Sequence, residues 1–121
     1  MKKVLLLAMV VFTLGLTSCK DDEYKAYEGT WAGTYSGGDE GVWRVNINSD
    51  GEISGEARAS SFSNVPFTIT GNVSTNGQLN AEVNIFIGTL HFTGNLSGNS
   101  ANGVWENKDQ NISGTWTGTK Q

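Results

Sequence analysis

The chain of 121 residues has one cysteine, one histidine and one proline, and only eight Lys and Arg against twelve Asp and Glu. Each shortage excludes something. With Cys19 alone, no internal disulfide can form, even in a compartment that would permit one. With His91 alone and no further ligand near it in sequence, neither a metal site nor a Ser-His-acid constellation is at hand. The acidic balance argues against nucleic acid as a partner, because phosphate recognition needs clustered Lys and Arg. No apolar run reaches the roughly 20 residues of a spanning helix, and no window carries a helical period.

The one apolar run lies at the start. Met1, Lys2 and Lys3 precede Val4 to Leu16, which is broken only by Thr13 and Gly15 and closed by Leu16-Thr17-Ser18-Cys19. That order of basic, apolar and small-residue segments is a secretory signal. The closing tetrad resembles the lipobox of bacterial lipoproteins, which implies cleavage before Cys19 and its lipidation with fatty-acyl chains such as palmitate. At roughly 0.8 kcal/mol per buried CH₂, several such chains hold a protein on a membrane. Lys20-Asp21-Asp22-Glu23 resembles the export signal of lipoproteins of the Bacteroidetes group, and the resemblance implies an outer-membrane protein displayed at the cell surface.

Three segments are therefore expected: a signal peptide over 1–18, a lipidated cysteine with a flexible charged tether over 19–28, and one domain over 29–121. Lys2 and Lys3 leave with the signal, so the mature chain has six basic against twelve acidic residues, a net charge of −6.

Sixteen glycines and short alternating runs rich in Thr, Asn and Ser point to an all-β domain. Apolar alternation bounded by turn residues predicts eight strands, approximately Thr30–Ser36, Gly41–Ile47, Glu52–Ala59, Val65–Val73, Gln78–Ile87, Thr89–Ser97, Gly103–Asn107 and Ile112–Lys120. Val65, Phe67, Ile69, Gly71 and Val73 share one face, with Thr68, Thr70 and Asn72 opposite, so each strand has a buried and a wet side.

Ser49-Asp50-Gly51 and Thr75-Asn76-Gly77 read as three-residue hairpin loops. They pair Ile47 with Ile53 and Val73 with Leu79, and set Arg44 opposite Glu56 as a surface pair worth about 0–1 kcal/mol. Gly88-Thr89 reads as a two-residue turn, which pairs Ile87 with Leu90 and puts His91 opposite Phe86 on the outer face.

Short connections favour an up-and-down antiparallel meander. Gly29-Thr30-Trp31-Ala32-Gly33-Thr34 returns near the other end as Gly114-Thr115-Trp116-Thr117-Gly118-Thr119, so the first and last strands are matched for pairing. Inward glycines permit the tight coiling of a small barrel. The expected fold is an eight-stranded meander closed into a small barrel, with a two-sheet β-sandwich as the alternative. Gly29-Thr30-Trp31 and Asp50-Gly51-Glu52-Ile53-Ser54-Gly55 resemble the corresponding start of the avidin family, and the domain is similar to lipocalin-like barrels of bacterial lipoproteins. The likeness rests on glycine and turn residues. It implies the barrel and carries over no biotin-binding side chain.

Candidate sites are few. Asn46 to Gly51 imitates the first half of a calcium loop, but Ala57 stands where the bidentate glutamate belongs, so no metal is expected. Asp39 with Glu40, and Glu106 with Asp109, fall in or beside loops rather than a cleft, so no enzyme and no cofactor are expected. In a meander, the first, third, fifth and seventh loops share the end away from the anchor. Tyr35, Trp43, Phe67 and Trp105 are inward positions near that mouth, with Phe62 at a loop tip, while Trp31 and Trp116 belong to the core. The expected function is a non-catalytic, membrane-anchored binding module taking a small apolar molecule or a glycan at the distal mouth. The alternative is a protein-directed role, as a protease inhibitor or an accessory subunit of a surface complex.

Overall fold

The computed structural model describes residues 23–63 and 65–121, so Cys19, Lys20, Asp21 and Asp22 lie outside the described residues. Eight strands follow in order: β1 (Gly29–Gly37), β2 (Gly41–Ile47), β3 (Glu52–Ala59), β4 (Pro66–Val73), β5 (Gln78–Ile85), β6 (Gly88–Ser97), β7 (Ser100–Asn107) and β8 (Ile112–Lys120). Each pairs antiparallel with the next and β8 closes on β1, which is the meandering barrel and not the sandwich. Tyr35 opposes Trp116 across the closing seam. There Gly118 allows the close approach that closure needs: a Cβ on it would lie 2.3 Å from the Trp43 ring.

The hairpins at Gly51 and Gly77 have the expected register, Ile47 with Ile53 and Val73 with Leu79. Both glycines take positive φ, 77° and 88°. Arg44 opposes Glu56 as expected, but the carboxylate of Glu56 is paired instead with Arg58, two residues along the same face, at 3.2 Å.

The fifth connection differs. Ile85 pairs with Gly88, Asn84 with Thr89 and Glu82 with His91, so the turn is Phe86-Ile87 and not Gly88-Thr89. Glycine is needed at 88 for another reason. Its φ is +126°, and a Cβ there would meet Asp109 Oδ2 at 2.6 Å and Asn107 Oδ1 at 2.7 Å. His91 therefore stands between Glu82 and Glu106, its two cross-strand neighbours, and not opposite Phe86. The strand β7 also begins three residues before its expected start, because Gly98 at φ 61° lets the chain reverse between Ser97 and Ser100.

The interior is filled. Trp31, Trp105 and Val83 are 1% exposed, and Trp116 is 3% exposed, within one continuous apolar cluster. Each indole N–H has a carbonyl to donate to: Trp31 to Tyr27 at 2.8 Å, Trp43 to Thr34 at 3.3 Å, Trp105 to Ser36 at 3.0 Å, and Trp116 to Thr93 and Val104, both at 3.1 Å. Large aromatic volume is thereby buried at little polar cost. An interior void between Trp43, Trp116, Phe92, Ile53 and Leu79 measures about 20 Å³, room for about one water.

The end of the barrel where β1 begins is closed by the segment that the sequence assigns to a flexible tether. Residues 24–28 form a turn, with the amides of Tyr27 and Glu28 both donating to the carbonyl of Tyr24. The Tyr24 ring lies over Gly51 and the Tyr27 ring over Gly77, so each tyrosine covers one hairpin loop and packs against the core. Tyr27 Oη also donates to the Thr75 carbonyl at 3.3 Å, and Lys120 Nζ donates to the Ala26 carbonyl at 3.4 Å. The charge pattern of 20–28 concealed this. Tyr24 and Tyr27 are its only aromatics, and their polar tips let them pack at a wet rim.

Candidate interaction surface

At the opposite end, the loops after β1, β3, β5 and β7 meet. The β3–β4 loop starts with a short 3₁₀ turn, Ser60–Phe62, ended by Ser63 in the left-handed conformation at φ 57°. Its neighbour β1–β2 holds it in place: the Ser60 amide donates to the Glu40 carbonyl at 3.0 Å, and Ser61 Oγ donates to Asp39 Oδ2 at 2.9 Å. This presents Phe62 towards β4, where it packs edge-on against Phe67 with ring centres 5.5 Å apart. Phe86, carried in by the β5–β6 turn, completes the group at 5.9 Å from Phe67 and 6.3 Å from Phe62.

Phe62 and Phe67 are partly buried, whereas Phe86 is 85% exposed. Val65 and Ile87 extend the apolar surface beside it, at 50% and 44% exposed. The turn bearing Phe86 is fixed from behind. Asn107, fully buried at the end of β7, donates through Nδ2 to the Ile87 carbonyl at 3.4 Å, and its Oδ1 accepts the amides of Asp109 and Gln110 at 3.1 and 3.3 Å. One side chain thus ties the β5–β6 turn to the β7–β8 loop. Thr89 Oγ1 donating to Asn84 Oδ1 at 2.8 Å closes the same turn from the strand side.

The five residues expected at the mouth do not line one opening. Tyr35, Trp43 and Trp105 are 3%, 7% and 1% exposed and belong to the packed core. Tyr35 meets Phe92 and Trp105 edge-on at 5.8 and 5.7 Å, and Trp43 meets Trp116 at 5.6 Å. Burial, reinforced by the nearby Asp39 carboxylate, pushes the Tyr35 phenol up to about 12, so it stays neutral. Only Phe62 and Phe67 reach the surface group. The residue that dominates it, Phe86, stands out in the sequence as an apolar break in the polar face of its strand, but the turn expected at Gly88-Thr89 gives it His91 as a partner, which the observed register does not. The alternation puts Val65 and Ile87 inward, Ile87 through the displaced turn, so neither reads as a surface residue in the sequence.

Elsewhere the described residues hold no acidic, histidine and cysteine cluster able to bind a metal. At the calcium-like stretch, Asn48 Oδ1 is already occupied by the amides of Asp50 and Glu52 at 3.0 and 2.9 Å, as a hairpin loop requires. Compared with known proteins, the chain matches no family model and no curated protein significantly.

Proposed function

We propose that this protein is a non-catalytic, surface-anchored binding module, held to the outer membrane through lipidated Cys19 and engaging its partner with the distal aromatic group. Phe86 carries this reading: a phenylalanine 85% exposed, on a turn pinned by a fully buried asparagine, has a cost in water that barrel packing does not explain. The length of chain between Cys19 and the barrel supports it. Only four residues, 20–23, separate Cys19 from the packed Tyr24, a reach of less than about 20 Å at roughly 3.5 Å per residue. The barrel then stands close to the membrane on its tyrosine-closed end, with Phe86 directed outward. A void of about 20 Å³ is far below the roughly 300 Å³ of a small-molecule pocket, which favours contact on the distal surface over a ligand inside the barrel.

The test is site-specific photocrosslinking on intact cells, with the reactive side chain at position 86 or, as control, at Asn80 on the outer wall. A discrete adduct from position 86 alone is expected. Equal labelling from both positions, or from neither, would overturn the reading.

A further inference from the structure

The carboxylates around the aromatic group narrow the kind of partner it fits. Asp39 accepts from Ser61, next to Phe62, and so flanks the group on one side. Glu40 follows it and shares that loop contact through its backbone. On the other side Asp109 lies against Gly88, two residues beyond Phe86. The cations of this end are engaged with other acids: Arg58 with Glu56 at 3.2 Å, and Lys108 with Glu106 at 3.8 Å. Neither of these ion pairs involves Asp39, Glu40 or Asp109.

The apolar centre is thus flanked by the carboxylates of Asp39 and Asp109, with no cation paired to them among the described residues, in a mature chain of net charge −6. The rings stand at 62–80° to one another, so they form a knob of edges and not the flat platform on which a sugar ring stacks. Carboxylates at the rim oppose entry into an anionic lipid surface. On these grounds we infer that the distal group docks into a protein partner, in an apolar hollow of that partner rimmed by Lys and Arg. The apolar contact supplies affinity, and the opposed charges supply orientation and association rate.

This inference rests on the proposed contact role of the group, and one experiment separates the two. A phage-displayed library of random twelve-residue peptides is selected against the full chain held in phosphatidylcholine nanodiscs. Selected peptides are expected to combine Leu, Ile or aromatic residues with flanking Lys or Arg. Phe86→Ser should weaken their binding more than about tenfold, and the pair Asp39→Asn with Asp109→Asn by roughly threefold. Binding should also fall between about 0.05 and 0.5 M salt. Apolar peptides with neutral or acidic flanks, still lost on Phe86→Ser, would overturn the charged-rim inference and leave the contact role standing. Peptides indifferent to Phe86→Ser, or none selected, would overturn both. Binding of the chain to phosphatidylglycerol vesicles that depends on Phe86 would assign the surface to a membrane and overturn the inference. A retained thermal transition shows that each variant is folded.

Discussion

At the lower end of the barrel, Tyr24, Tyr27 and Trp31 cover the rim, and both Trp31 and Tyr27 spend their polar atoms on backbone carbonyls of that end. At the upper end the corresponding residues are Phe62, Phe67 and Phe86, which have no polar atoms, and one of them projects into water. Both ends close the same eight strands, so closure alone does not require exposure. The lower end shows how this chain buries rim aromatics where nothing is to be gained by showing them. The upper end departs from that solution, and the departure is held in place by the buried Asn107 and by Asp39, which fix the two loops that carry Phe86 and Phe62.

The largest expected effect tests the lower end and the core beneath it. Trp31 is 1% exposed and donates to the Tyr27 carbonyl, which links the closing segment to the barrel. Trp31→Ala should destabilise by about 3–5 kcal/mol, through lost burial, a residual cavity and the lost hydrogen bond. Denaturant titration reads this directly, and a loss below 1 kcal/mol would mean that the lower end is not a structural closure.

Next in size is a pH dependence. Tyr35 has its folded pKa raised from 10 to about 12, so the folded state retains the phenolic proton more strongly than the unfolded chain. Its stabilising effect is complete below pH 10 and is lost as pH rises from 10 to 12, by an amount on the order of 2 kcal/mol. Tyr35→Phe should lose correspondingly less stability across that window. Identical alkaline unfolding curves for the two proteins would remove Tyr35 as the cause.

A smaller effect separates the two ends more finely. Asn107→Ala removes the bond to the Ile87 carbonyl and orphans the amides of Asp109 and Gln110. A cost of about 1–3 kcal/mol is expected. Hydrogen exchange should quicken in the Phe86-Ile87 turn and the 108–111 loop while the amides around Gly51 and Gly77 keep their protection. Uniform acceleration at both ends would mean that Asn107 stabilises the barrel generally and does not serve the turn.

The barrel was legible because it depends on periodicity. Alternation of two residues and glycine at the hairpin tips fix which side chains point inward, and the paired Gly-Thr-Trp segments mark the seam where Tyr35 meets Trp116. The distal aromatic surface was much less legible. Gly88 serves a close approach to Asn107 and Asp109, yet a glycine before a threonine reads as a turn, and this moved the reversal two residues past Phe86-Ile87. Tyr24 and Tyr27 sit in a charged stretch with no period, and their role depends on hairpin loops some 25 to 50 residues away, which local sequence does not encode. Inward aromatics near a mouth were legible as inward, but their burial depends on how completely neighbouring indoles fill the space above them.

The smallest expected effect on stability is also the one that discriminates best. Phe86 has 85% of its surface in water, and its contacts to Phe62 and Phe67 are ring edges. Phe86→Ser should therefore shift the unfolding midpoint by no more than about 0.5 kcal/mol, as for ordinary surface substitutions, and could raise solubility. If Phe86 were part of the barrel's closure, like Tyr27 below, the same change would cost well over 1 kcal/mol. A variant that folds as well as the natural chain, yet no longer binds the selected peptides, would separate stability from binding at a single residue. A substantial loss of stability would instead make the upper end a second closure, and the contrast between the two ends would disappear.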